Sequence, residues 1–107
     1  MIYLVKVEYK DNASFKIGYT ANMEKRLHPY RAHNPGFEHI SMVETYAKTG
    51  RALERTIRQE LVDMGVEFIG NHREWFFVDY ESELYNRLNT EGLLFFKACK
   101  GRKELAR

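Results

Sequence analysis

Tyr3, Lys16, Arg26 and Glu54 are side-chain types that can do chemistry at a phosphate. A phenol titrates near pH ~10 and ionises more readily beside a cation, which a lysine on an adjacent strand could supply. The planar fork of an arginine can hold two oxygens of a phosphate as negative charge builds there. A single carboxylate can hold magnesium, which keeps several of its waters and takes further oxygens from a substrate phosphate. Around these lie Gly18, whose missing side chain lets another segment or a phosphate approach closely, and His28, Tyr30 and Arg31, which follow Arg26 within two turns. No spacing selects among those three as a proton-transfer or phosphate-binding group. Arg51, Arg55 and Arg58 flank Glu54 and could position a duplex through its phosphates. Each residue also has a plainer reading: Tyr3 as a half-buried strand aromatic, Lys16 as a solvent-facing charge, Arg26 as an exposed helix cation beside Lys25, Glu54 and the arginines as a solvated face.

The elements that must position these groups follow from hydrophobic periodicity. Between Ile2 and Tyr9, Tyr3, Val5, Val7 and Tyr9 share one face of a predicted strand, with Leu4, Lys6 and Glu8 on the other. The polar run from Lys10 to Ser14 turns the chain into a second strand, where Phe15, Ile17 and Tyr19 alternate with Lys16, Gly18 and Thr20. The pair reads as a hairpin that sets Lys16 beside the strand of Tyr3. Asn22 caps a helix carrying Met23, Leu27 and Tyr30 up to Asn34-Pro35-Gly36, and Pro29, which lacks the N–H that would bond the Lys25 carbonyl, predicts a kink or a short helix. A third strand is expected from His39 to Ala47, with Ile40, Met42 and Tyr46 as core candidates. From Thr49 or Gly50, Leu53, Ile57, Leu61 and Met64 form the apolar stripe of the strongest helix, which Gly65 ends. Glu74 to Val78 reads as an aromatic strand in which Trp75 and Phe76 fill the core rather than stack on bases, and Tyr80 to Leu88 as a helix with Leu84 and Leu88 inward. Residues 91–96 fit either a continued helix or an extended segment. The β-β-α-β-α-β-α order predicts an α+β fold, a small, mostly antiparallel sheet flanked by helices.

Composition confines these residues to one site on one domain. The chain has 107 residues, 44% hydrophobic and 30% charged, the mixture of an independently folding globular protein. No apolar run approaches the roughly 20 residues that span a bilayer, and the N-terminus lacks a charged leader or cleavage site, so the expectation is a cytoplasmic protein with no membrane partner. The lone Cys99 cannot form an internal disulfide, and His28, His33, His39 and His72 lack zinc-ligand spacing. Five cations against Glu104 make the segment from Lys97 to Arg107 net +4, which leaves −2 on the rest of a chain whose total is +2. That tail suits phosphate contact or a solvated terminus equally.

Met1-Ile2-Tyr3, Lys16-Ile17-Gly18-Tyr19-Thr20, Met23-Glu24-Lys25-Arg26-Leu27 and Ala52-Leu53-Glu54, in that order, together with the downstream Glu74-Trp75-Phe76, resemble the GIY-YIG nuclease superfamily, particularly its short phage and bacterial branch. The resemblance spans about residues 1–80; Met1 stands where the first motif has glycine, and Lys16 where the second has tyrosine. It implies a nuclease domain over residues 1–90 with a C-terminal extension over 91–107. It implies catalytic roles for Tyr3 as general base, with Lys16 as the cation that favours its phenolate, for Arg26 on the scissile phosphate, and for Glu54 holding Mg2+ (or Mn2+). Gly18, His28, Tyr30 and Arg58 are the expected substrate-binding residues. The implied reaction is hydrolysis of DNA to 5′-phosphate and 3′-hydroxyl ends. Lys16 in place of tyrosine keeps open an inactive nucleic-acid-binding module of the same fold, and a small protein-interaction domain is the more remote alternative. With only the basic tail beyond the core, specificity is expected to be low, structure-directed, or supplied by a homodimer or a separate targeting partner.

Overall fold

The computed structural model describes residues 1–8, 10–33, 35–70 and 74–105. Tyr9, Asn34, His72 and Arg107, which entered the expectations above, lie outside the described residues. The chain runs β1 (Ile2–Glu8), β2 (Ala13–Tyr19), α1 (Met23–His33), β3 (Phe37–Val43), α2 (Ala47–Asp63), β4 (Glu67–Phe68), β5 (Trp75–Val78) and α3 (Glu83–Glu91), followed by two short 3-10 turns at Gly92–Phe95 and Lys97–Cys99. The strands form one antiparallel sheet in the order β3-β1-β2-β5-β4, which makes the domain α+β as expected. The two-residue β4 is an addition to the predicted order.

Period-two alternation divides the sheet into two unequal faces. Ile2, Leu4, Phe15, Ile17, Phe76 and Val78 point into the large core, against Leu53, Ile57 and Leu61 of α2 and Leu88 of α3. The opposite face is covered by α1, through a small cluster of Tyr3, Val5 and Leu27 with Met23, Tyr30, Phe37, Met42 and Trp75 packed around it. A bulge between Leu4 and Val5 in the β1–β3 ladder makes Ile40 the extra residue, so Ile40 and the neighbouring Ser41 are both buried. Lys6, also buried, is held on the α3 side by Asn89 Oδ1 at 2.8 Å, Glu8 at 2.9 Å and Glu38 at 3.2 Å. Burial alone would lower its pKa, but the hydrogen bonds to Glu8 and Glu38 carry the net shift upward.

Several element boundaries differ from expectation for local reasons. α1 continues through Pro29, which removes one hydrogen bond from an eleven-residue helix without ending it. The third strand stops at Val43, leaving Tyr46 as the residue that enters α2 and 83% exposed rather than in the core. Met64, expected on the apolar stripe, is the C-cap and is exposed, because Gly65 at φ +79° turns the chain away there. Ser82 caps α3 by accepting from Tyr85 N–H at 3.2 Å, so the helix begins at Glu83, three residues later than predicted. The segment after residue 90 is not a loose appendage: Leu93, Phe96 and Cys99 are wholly buried in the large core. Beyond them Glu104 bridges Val43 and Leu105 N–H donates to the Met42 carbonyl, covering part of the free edge of β3. No helix among the described residues is long and apolar enough to cross a membrane.

Candidate functional site

The small-core face of the sheet is where the expected residues meet. Tyr3 pairs with Gly18 across the β1–β2 ladder, and its ring lies against the backbone there. A Cβ at Gly18 would fall 2.3 Å from Tyr3 Oη and 2.4 Å from Cζ, so only glycine leaves room for the tyrosine. Gly18 thus yields its open space to Tyr3 rather than to substrate.

Two strands and a helix converge on Tyr30. Lys16 shares Tyr3's face two residues before Gly18, and its Nζ donates to Tyr30 Oη at 2.7 Å. Tyr3 lies close enough to Tyr30 for the interaction of the two phenols to raise the pKa of Tyr3 and lower that of Tyr30. The expected pairing of Lys16 with Tyr3 is therefore corrected: the ammonium donates to Tyr30, which α1 brings to this face of the sheet, and no hydrogen bond joins Lys16 to Tyr3 among the described residues. Tyr30 is held there by Phe37, stacked at 5.6 Å, and by Trp75, edge-on at 6.0 Å. Trp75 is the register partner of Lys16 and half-buried, while Phe76 beside it points into the large core. Glu74 Oε2, 3.7 Å from Lys16 Nζ, is a looser partner.

The two phenols are driven apart electrostatically. Burial raises the Tyr3 pKa above the ordinary phenol range; the charge and hydrogen bond of Tyr30 add to this, and Arg26 offsets only part. For Tyr30 burial works in the same direction, but the hydrogen bonds from Lys16 and Tyr3 and the charges of Lys16 and Arg26 outweigh it, leaving its pKa lowered. An oxygen that accepts from an ammonium is stabilised as the phenolate. Tyr30 also opens outward: with Thr20, Asn22, Lys25, Arg26 and Pro29 it lines a groove of about 290 Å³.

Arg26 is exposed one turn before Tyr30, on the same side of α1 by the i,i+4 spacing. His28 lies two residues from each of them, on the other side of the helix, and makes no hydrogen bond or ion pair among the described residues; the structure does not bring it to the cluster. Glu54 on α2 is near enough for its charge to act on Tyr3. Its side chain is 16% exposed and pairs with Arg58 Nη2 at 2.5 Å, so Arg58 faces Glu54. Arg51 lies over the Tyr19 ring at 5.8 Å, and Arg55 is exposed. Among the described residues no group of three or more His, Cys, Asp or Glu side chains could cage a metal. The donor set is one half-withdrawn carboxylate with a second oxygen unpaired among the described residues, which suits a hydrated hard cation completed by a phosphate.

The signal for Tyr30 was present in the sequence as the Arg26-x3-Tyr30 spacing, but the same helix offers His28 and Arg31 within reach of any docking angle. Only the rotation of α1, set by burial of Leu27, selects the Arg26–Tyr30 side.

No curated protein and no solved structure matches the chain. Residues 1–89, which contain Tyr3, Lys16, Gly18, Arg26, Tyr30, Glu54 and Arg58, match the T5orf172 domain, a family associated with nuclease-like proteins of phages and bacteria; the chain belongs to the T5orf172 domain family.

Proposed function

We propose that the chain is a metal-dependent DNA endonuclease of the GIY-YIG kind, with Tyr30 rather than Tyr3 as the proton acceptor. The observation that carries this reading is the Tyr30 oxygen, which accepts from Lys16 at 2.7 Å, on a residue that lines a groove together with Arg26. Ionised Tyr30 takes a proton from a water whose oxygen attacks phosphorus. The new P–O bond forms as the bond to the 3′ oxygen breaks, and that oxygen takes a proton from solvent water to leave as a hydroxyl, with phosphate remaining on the 5′ end. Arg26 holds non-bridging phosphate oxygens as their charge grows. Tyr3 acts through Tyr30, from a position that Gly18 makes room for. Glu54 would hold Mg2+ or Mn2+; when bound there, the ion supplies positive charge to the leaving oxygen. DNA is the substrate this chemistry and the basic tail suit, and a homodimer or a targeting partner would supply selectivity.

A binding module without turnover is the second reading, favoured by Lys16 standing where the superfamily has tyrosine and by the commitment of Glu54 to Arg58. Supercoiled plasmid and branched DNA, incubated with purified protein in magnesium or chelator, separate the two. The nuclease reading expects magnesium-dependent nicking or cutting by the parent and none by Glu54→Gln, with binding retained in both. Salt-sensitive binding without cleavage of any substrate would establish the module instead.

A further inference from the structure

Arg58 follows Glu54 by one turn of α2, with the acid on the N-terminal side, the arrangement that favours pairing on a helix. The contact is one-pronged: Nη2 donates to Glu54 Oε1 at 2.5 Å, while Arg58 Nε is buried without a hydrogen-bond partner among the described residues. Glu54's other oxygen makes no hydrogen bond or ion pair among the described residues. Guanidinium N–H groups form two-donor forks matched to the oxygens of a phosphate. A buried donor left bare is costly, and native structures keep few of them. Both halves of this pair are thus under-used: the arginine has a donor to spare and the carboxylate an oxygen to spare.

We infer that Arg58 is an exchangeable counter-charge. It neutralises Glu54 in the free protein and transfers to a DNA phosphate when a divalent cation takes the carboxylate. The inference rests on the reading of Glu54 as the metal carrier. Two cations compete for one carboxylate, so Arg58 holds down metal affinity until DNA draws it away, which couples loading of the ion to loading of the substrate.

Mn2+ titrated into the DNA-free protein and followed by its electron paramagnetic resonance signal tests this without turnover. Arg58→Gln is expected to bind Mn2+ about tenfold more tightly than the parent, the scale of removing one competing charge. Arg58→Lys, which restores a cation, is expected to return toward parental affinity and guards against a folding artefact in the glutamine variant. Glu54→Gln is expected to lose the site. Equal or weaker binding by Arg58→Gln, with binding lost in Glu54→Gln, overturns the exchange and leaves Glu54 as carrier. Mn2+ that binds Glu54→Gln as well as the parent, or binds neither the parent nor Arg58→Gln, removes the carrier itself, and the exchange falls with it.

Discussion

Lys16→Met isolates the electrostatic support of Tyr30, because it deletes the ammonium and keeps most of the aliphatic stem beside Tyr30 and Trp75. The substitution removes a charge-assisted hydrogen bond of 2.7 Å donated by a lysine side chain only 10% exposed. Such bonds favour the charged partner by roughly 1.5–3 kcal/mol, and the partial exposure of Tyr30 argues for the lower half of that range. At about 1.4 kcal/mol per factor of ten, the ionised fraction of Tyr30 at neutral pH falls about 10- to 40-fold, and the cleavage rate with it. The sign is set by the base acting in its deprotonated form: the cation lowers the Tyr30 pKa, so its removal raises that pKa and moves the ascending limb of the rate to higher pH. Single-turnover cleavage of a labelled duplex, measured in magnesium from neutral to alkaline pH, should show the two proteins far apart near neutrality and converging at the alkaline end. A variant reduced by one constant factor at every pH would refute the reasoning and make Lys16 a phosphate contact. Superimposed profiles would remove it from the site.

Tyr30→Phe should abolish the ascending limb, whereas Tyr3→Phe leaves the Lys16 donor to Tyr30 in place and should leave a limb displaced to higher pH; the reverse ranking in pH–rate profiles would return the base to Tyr3. Gly18→Ala places a methyl 2.3 Å from Tyr3 Oη, so the ring must leave its position. The expected cost is roughly 1–3 kcal/mol in denaturant titration, with cleavage reduced more than DNA binding; an unchanged midpoint would show that Tyr3 is not wedged there. Phe96→Ala, at a wholly buried position beyond the family match, should destabilise the domain by roughly 3–5 kcal/mol. A cost under about 1 kcal/mol would make the C-terminal segment dispensable to the core.

Much of the scaffold is written in local pattern. Alternation along Ile2–Glu8 and Ala13–Tyr19 places Tyr3, Lys16 and Gly18 on one face, because successive side chains of a strand point to opposite sides whatever the strand packs against. The stripe of Leu53, Ile57 and Leu61 likewise determines which side of α2 is buried and leaves Glu54 beside it. These signals are local, and they yielded the α+β class and the order of the charged residues.

The partners of those residues were decided elsewhere. Lys16 bonds Tyr30 instead of Tyr3 because α1 docks at a depth set by Leu27, Met23 and their contacts across the sheet, and no periodicity within one segment encodes that depth. Glu54 and Arg58 could equally have been two solvated charges; burial of the α2 face turns them into a half-withdrawn pair with a bare donor. Leu93, Phe96 and Cys99 enter the core although their segment carries no helical or strand period, since 3-10 turns hide apolar residues at spacings that neither template detects. Sequence alone therefore determined which residues share a face, a property of each strand or helix by itself. Tertiary structure decided which atoms meet, because contact between elements depends on how each one is packed against all the others.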